Sequence, residues 1–198
     1  VLDLIAGRMI VDISPAVFNK IAYRESSDGI VALAKPKRHG LDDLSLSPNP
    51  FLILLESVEK PGNLGAVLRT ADAAAVDAVI VCDPRTDLYN PNVVRSSVGG
   101  LFTVQTALCT SAEALEWLRR NNITSHAADL QAVENYQDVS FTGPSAIVMG
   151  TEAEGLTDFW LTNAEKRIKI PMRGRIDSLN VSVSTAVITF EAMRQRGF

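Results

Sequence analysis

Two cysteines and two histidines in 198 residues leave little material for a metal centre or a disulfide framework. Cys82 and Cys109 stand in unrelated contexts, Val-Ile-Val-Cys-Asp and Ala-Leu-Cys-Thr, without the paired spacing of a metal or redox motif, so both read as reduced residues in or near the core. Neither His39 nor His126 has a second ligand at useful spacing; no metal is expected, and both read as surface or loop residues. No apolar run approaches the roughly 20 residues that a membrane span needs. The N-terminus also lacks the basic-then-apolar plan of a signal peptide. The expectation is a soluble, cytoplasmic protein with no membrane partner. An excess of positive charge is missing too: the net charge is −4, so a nucleic-acid partner would have to be held by a local basic patch. The chain opens at Val1 without an initiator methionine, which reads as a fragment lacking an N-terminal portion.

What is present is enough apolar material, 46% of residues against 21% charged, for one sizeable core and a small appended piece. Residues 1 to about 34 hold two short apolar stretches, Ile10–Ile13 and Gly29–Leu33, around a helix signal at Ser14-Pro15, a cap followed by a first-turn proline. That is too little for a core. Lys35-Pro36-Lys37-Arg38-His39-Gly40 and the proline- and serine-rich Ser45–Pro50 then read as a linker, which puts a boundary near residue 45 and gives domains at 1–45 and 46–198. Beyond it, short aliphatic runs at Leu52–Leu55, Val79–Val81, Ile123–Ala127, Ile147–Met149 and Ile168–Ile170 alternate with helical stretches. This predicts an α/β fold: a parallel sheet with helices on both faces. One helix runs from Asn63 with Leu64, Val67, Leu68, Ala71 and Ala75 on a stripe, and another from Ser111 to Asn121. The last begins near Asp177-Ser178 and has two apolar strips: Leu179, Val183, Ala186, Val187, Phe190 and Met193 on one, Val181, Ile188 and Ala192 on the other. A helix apolar on two sides is buried on two sides, by a neighbour of its own chain or by a second subunit.

Three glycine-bearing turns follow predicted strands. In the first, Leu54 to Arg69, Asn63 stands near a helix start and Arg69 further along; a helix N-terminus with an arginine suits an anion such as phosphate, and equally describes a capped helix with a surface arginine. The second, Gly150-Thr151-Glu152-Ala153-Glu154-Gly155-Leu156, has glycines that allow close backbone approach and two carboxylates that are either acid and base or solvated turn residues. The third, Ile168 to Ser182, contains Pro171, Gly174, Arg173 and Arg175, with Ser178 and Asn180 as caps or ligand contacts. All three fall at the C-terminal ends of predicted parallel strands, the edge where open α/β sheets bind ligands.

Together these turns resemble the three signature motifs of the SpoU branch of the SPOUT superfamily. The first has Asn-x-Gly-x-x-x-Arg at Asn63, Gly65 and Arg69; the second has Gly-x-Glu-x-x-Gly-Leu at Gly150, Glu152, Gly155 and Leu156. The third has Ile170, Pro171, Met172, Gly174, Ser178, Leu179, Asn180 and Val181 in the pattern Ile-Pro-Met-x-Gly-x-x-x-Ser-Leu-Asn-Val, and is the most specific. The resemblance covers residues 50 to 196 with no departure at the defining positions. It implies an RNA methyltransferase that moves a methyl group from S-adenosylmethionine to a ribose 2′-hydroxyl, in ribosomal sooner than transfer RNA, and a fold with a C-terminal trefoil knot. It also implies a homodimer packed partly through the last helix, with Val181 and Ile188 in the interface. By the same carry-over Gly150, Glu152, Gly155, Ile170, Met172 and Leu179 would hold the cofactor, and Asn63, Arg69, Ser178 and Asn180 would do the catalytic work at the acceptor ribose. Residues 10 to 34 are similar to the end of the small RNA-binding domain that often precedes this catalytic domain.

Two other readings follow from the residues. Gly62-x-x-Gly65 after a strand, with Asp83 ending the next strand where a ribose-binding acid belongs, describes a Rossmann-type nucleotide enzyme, although the G-x-G-x-x-G pattern is incomplete. A non-catalytic RNA-binding module of the same fold is the other.

Overall fold

The computed structural model describes residues 9–23, 29–37 and 39–197; residues 1–8 and 24–28 of the N-terminal segment and Arg38 of the linker stretch lie outside the described residues. The chain divides into two units, 1–37 and 38–198.

In the first unit the Ser14-Pro15 signal produces helix α1 (Pro15–Ile21), with the Ser14 hydroxyl accepting from the Val17 amide at 3.4 Å. No residue of α1 is buried, and Met9, Ile10, Val11, Ile30 and Leu33 are exposed. The described apolar side chains of this segment have no core to enter.

The second unit is built on a seven-stranded sheet, β1 (Phe51–Glu56), β2 (Ala78–Cys82), β3 (Gln105–Cys109), β4 (Thr124–Ala128), β5 (Glu134–Asn135), β6 (Ser145–Met149) and β7 (Lys166–Lys169). Its order is β3-β2-β1-β6-β4-β7-β5, and every pairing is parallel. The central strands β1, β2 and β6 are buried along their whole length, which is why they read as unbroken apolar runs. Alternate side chains divide between two cores. Phe51, Ile53, Leu55, Val79, Val81 and Ile147 meet helices α2 (Pro61–Ala73) and α7 (Val181–Arg196) on one face. Leu52, Leu54, Ile80 and Val148 meet α5 (Ser111–Arg120) and Trp160 of α6 (Asp158–Asn163) on the other. Short helices α3 (Pro91–Ser96) and α4 (Gly100–Thr103) lie against α2.

Several boundaries differ from expectation for local reasons. Helix α2 starts at Pro61 with Lys60 at its cap, so Asn63 lies inside the first turn and its side chain is free for another partner. Helix α5 is capped by Thr110, whose hydroxyl accepts from the Glu113 amide while Glu113 accepts from the Thr110 amide. Helix α7 begins only at Val181: Asn180 is its cap, accepting from the Ser182 amide at 3.0 Å, and Asp177–Leu179 stay outside the helix. Strands β3 and β5 lack a clear apolar run, because they lie toward the two sides of the sheet and are only partly covered.

Three residues correct the sequence reading. His126 is not a surface residue: it is 1% exposed in β4, its ring 4.8 Å from that of Phe141, and burial pushes its pKa down. Val181 and Ile188 are not interface residues but buried members of their own chain's core, with Ala192. Val183 and Phe190, on the other strip, are the ones left exposed, at 47% and 43%. A cap at Asn180 and the approach of α2 fix which strip of α7 turns inward.

From His39 onward the stretch that composition reads as linker lies along the free edge of β3. The His39 carbonyl accepts from the Leu108 amide at 2.8 Å, and the Ser45 amide donates to Gln105 at 2.8 Å. At the other end of the unit, Arg196 ties the last turn of α7 to the entries of β1 and β6. Its guanidinium donates to the carbonyls of Asn49, Pro50, Phe141 and Gly143 and stacks 5.3 Å over the Phe51 ring.

Candidate functional site

The loops after β4, β6 and β7 leave the same edge of three neighbouring strands, and together they enclose a cavity of about 560 Å³. Its walls are Ala128–Gln131 after β4, Met149–Leu156 after β6, and Lys169, Ile170, Met172 and Asp177–Leu179 after β7, with Val181, Ser184 and Ile188 from α7. The cavity has the size and mixed apolar and polar lining of a small-molecule site.

The loop after β6 is shaped by its two glycines. Thr151 and Gly155 exchange backbone hydrogen bonds of 2.9 and 3.1 Å, which closes a tight turn, and Gly155 takes φ +72°. A Cβ on Gly150 would stand 2.1 Å from the Gly155 carbonyl carbon, so only glycine permits this turn. Gly65 serves packing instead. A Cβ there would meet Ser96 Oγ at 1.9 Å and the Val93 carbonyl at 2.8 Å, where α3 crosses α2.

At the rim of the cavity the three turns are joined by one carboxylate. Glu152 accepts from Lys60 Nζ, from Asn63 Nδ2 at 2.8 Å and from Asn180 Nδ2, and Asn180 Nδ2 also lies 3.2 Å from Asn63 Oδ1. The hydrogen bonds from Lys60 first and Asn63 second hold the Glu152 carboxyl below the usual carboxylate range. It is therefore an ionised anchor with its lone pairs committed, unsuited to taking a proton at neutral pH.

Of the sequence-predicted residues, Gly150, Glu152, Gly155, Ile170, Met172, Leu179 and Ser178 line the cavity. Asn63 and Asn180 reach its rim through Glu152. Ser178 Oγ donates to Asp177 Oδ1 at 3.1 Å on the exposed loop. Arg69 is not brought to the cavity. It follows Asn63 by six residues, about 240° round the helix and about 9 Å along it, and its exposed guanidinium has no partner among the described residues. Glu154 is exposed and forms no acid–base pair with Glu152.

Residues that sequence reasoning missed include Lys60, which nothing in its neighbourhood distinguishes, and the loop Ala128–Gln131, which has no glycine to mark it as a turn. Its position after a parallel strand was the available signal. A second polar cluster at the same sheet edge was also missed. Glu56, 3% exposed, accepts from the Thr157 amide at 2.8 Å and the Thr157 hydroxyl at 2.7 Å, with Ser111 Oγ at 3.3 Å. Asp83, the ribose-binding acid of the Rossmann reading, belongs to this cluster: its carboxylate accepts from the Ser111 amide at 3.1 Å and hydroxyl at 2.6 Å. It is occupied in holding the start of α5. Among the described residues no group of three or more His, Cys, Asp or Glu side chains is arranged to hold a metal ion, and no helix is long and apolar enough to cross a membrane.

Residues 50–190 match the model of the SpoU rRNA Methylase family. The 23S rRNA (guanosine-2′-O-)-methyltransferase RlmB of Pectobacterium atrosepticum is 40% identical over 158 residues, 79% of this chain and 64% of the relative, so the chain spans just under two thirds of that relative's length. RlmB of Escherichia coli K12 is 39% identical over 189 residues, 90% of this chain and 78% of the relative. The crystal structure of an AdoMet-bound rRNA methyltransferase from Sinorhizobium meliloti superposes with a TM-score of 0.89 at 28% identity, covering 95% of this chain and 72% of that one.

Proposed function

The chain belongs to the SpoU rRNA methylase family, and from that premise we propose that it transfers a methyl group from S-adenosylmethionine to the 2′-hydroxyl of a guanosine in 23S ribosomal RNA. The observation that carries this reading is the junction of three turns through Glu152 at the rim of one cavity. A site that tied up its polar groups this way for stability alone would not need an open cavity beside them.

The residues present suit the cofactor. Met149, Leu156, Ile170 and Leu179 offer apolar wall, the cavity holds about 560 Å³, and the bare backbone at Gly150 lets a ligand approach closely. When bound, S-adenosylmethionine supplies an electrophilic methyl group on a sulfonium. The protein's contribution is position: in-line displacement requires the acceptor oxygen, the methyl carbon and the leaving sulfur to be collinear. Glu152 does not remove the proton. It holds Asn63 and Asn180 in fixed orientation, and these, with the exposed Ser178 hydroxyl, orient the ribose. Arg69 acts as an electrostatic clamp on phosphate or on the developing oxyanion.

Arg69 stands off the cavity of its own chain, which fits a homodimer in which one copy's Arg69 serves the other's cavity. Val183 and Phe190, half-exposed on α7, lie on the strip that such a contact would use. A C-terminal trefoil knot belongs to the same proposal. In its favour, β7 lies beyond β4 while α7 returns to pack on α2, and the loop between them lines the same cavity as the loops after β4 and β6. Residues 1–45, as the end of a small RNA-binding domain with its linker, would add substrate affinity, with Arg173 and Arg175 on the third loop as further phosphate contacts.

The test is methylation of 23S rRNA from cells lacking the protein, with the modified nucleotide mapped by mass spectrometry. Arg69→Ala is expected to abolish transfer while S-adenosylmethionine still binds by calorimetry; undiminished turnover in that variant would remove Arg69 from the mechanism, and absence of transfer by the unaltered protein would remove the function.

A further inference from the structure

Beside Arg69 the surface carries an apolar patch that the site described above does not use. Val98, in the turn between α3 and α4, is 71% exposed, and Phe102, on α4, is 60% exposed. These are large apolar side chains in water on a segment that follows Arg95 in the chain and packs at Gly100 on the backbone of Arg69; both arginines are exposed, and neither guanidinium is hydrogen-bonded or ion-paired to any described residue. The turn is rigid. The Ser97 amide donates to the Val93 carbonyl at 2.9 Å, the Gly100 amide to Ser97 at 2.9 Å and the Phe102 amide to Gly99 at 2.8 Å, while the Ser97 hydroxyl donates to the Val94 carbonyl at 2.9 Å. Val98 takes φ +51°, a left-handed conformation that a β-branched residue rarely adopts, and Gly99 follows at φ +97°.

The turn is also pinned to the helix that bears Arg69. A Cβ on Gly100 would lie 2.9 Å from the Leu68 carbonyl oxygen and 3.4 Å from the Arg69 amide nitrogen, and Thr103 Oγ1 donates to Asp72 at 2.5 Å. That hydrogen bond engages the one nearby carboxylate of α2. Unmated apolar faces of this kind mark interaction sites when they are rimmed by polar groups. The rim here is cationic, which selects an anionic partner, and the apolar members include an aromatic ring.

We propose that Val98 and Phe102 form a platform on which an unstacked base of the RNA substrate rests while Arg69 and Arg95 hold the flanking phosphates. RNA outside helices is recognised by just this pairing of stacking surface and cation. The assignment rests on the methyltransferase reading and extends it: the platform sits beside Arg69, so the base it takes belongs to the acceptor nucleotide or its neighbour. It makes the turn a determinant of which nucleotide is presented, separate from the cavity that takes the methyl donor.

The test compares binding of two probes to the full chain by fluorescence anisotropy: a labelled single-stranded RNA of mixed sequence and an abasic ribose-phosphate chain of the same length. Phe102→Ala is expected to weaken the base-bearing probe about tenfold or more and to leave the abasic one unchanged. Phe102→Trp should restore binding. Val98→Asn, which tolerates the left-handed backbone, should give a smaller loss of the same selectivity. S-adenosylmethionine affinity should be unaltered throughout. Equal losses on both probes, or no loss on either, would overturn the platform. So would a change of mass in solution for Phe102→Ala, which would assign the patch to contact between copies. Failure of the unaltered protein to bind S-adenosylmethionine would overturn the methyltransferase reading instead, and the two-probe comparison would still judge the patch.

Discussion

Two carboxylates stand at the same edge of the sheet, each collecting donors from other segments, and they do different work. Glu56 is 3% exposed, and all its partners are neutral: the amide and hydroxyl of Thr157 and the hydroxyl of Ser111, which also accepts from Trp160 Nε1 at 3.1 Å. Glu152 has a side chain 23% exposed and takes a lysine and two asparagines, all on the cavity rim. The buried cluster fastens α5 and α6 to the strand ends and so sets where the loop after β6 finishes. The rim cluster fastens that loop to the first turn of α2 and the cap of α7. One hub lies within the scaffold and the other borders the cavity, which is why the proposed mechanism gives only the second a part in aligning the reactants.

Substitutions separate the two. Glu56→Ala would take the acceptor from the Thr157 amide and hydroxyl and leave a gap at the buried Glu56 position, and should lower unfolding free energy by about 1–3 kcal/mol in urea titration. A loss under about 0.5 kcal/mol would mean that the cluster rearranges without cost. Glu152→Gln should barely move the melting temperature, since partly exposed ion pairs contribute little. Methyl transfer should nevertheless fall about tenfold or more, because the amide cannot accept from Lys60, Asn63 and Asn180 together. Equal damage to stability and activity would erase the distinction between the hubs.

The smallest expected effect is on pH. The folded-state pKa of Glu152 lies below its unfolded value, so its contribution is present above the ordinary carboxylate range and lost as pH falls through the lower folded value. The rim should therefore hold at mildly acid pH and loosen only below the ordinary carboxylate range. S-adenosylmethionine affinity measured by calorimetry from neutral to acid pH should show this limb in the unaltered protein and lack it in Glu152→Gln. His126 adds a separate term: burial depresses its folded pKa, so stability falls as pH drops through the ordinary histidine range and the unfolded chain takes up a proton.

Much of this was legible in the residues. Unbroken apolar runs such as Phe51–Leu55 announce strands covered on both faces, and the 3.6-residue stripe from Leu64 to Ala71 announces α2. Glycines at 150 and 155 marked a turn whose geometry does require them. Other features were hidden because their signals are not local. Strands β3 and β5 are short and partly covered, so they lack a continuous apolar run. Thr124-Ser-His-Ala-Ala looks half polar, yet it lies between β6 and β7, which buries His126.

By itself the sequence determined the class of fold, the family and the three turns that carry its motifs, since strand periodicity, helix stripes and glycine spacing are written in consecutive residues. Tertiary structure alone decided which residues meet. It joined Lys60, Asn63 and Asn180 on Glu152 across as many as 117 positions of chain between the two asparagines, turned Val181 and Ile188 inward in place of Val183 and Phe190, and kept Arg69 off the cavity that Asn63 borders. The reason is that a side chain's partners are set by which strand ends stand side by side, and the crossings from β1 to β6 to β4 to β7 do not follow the order of the chain.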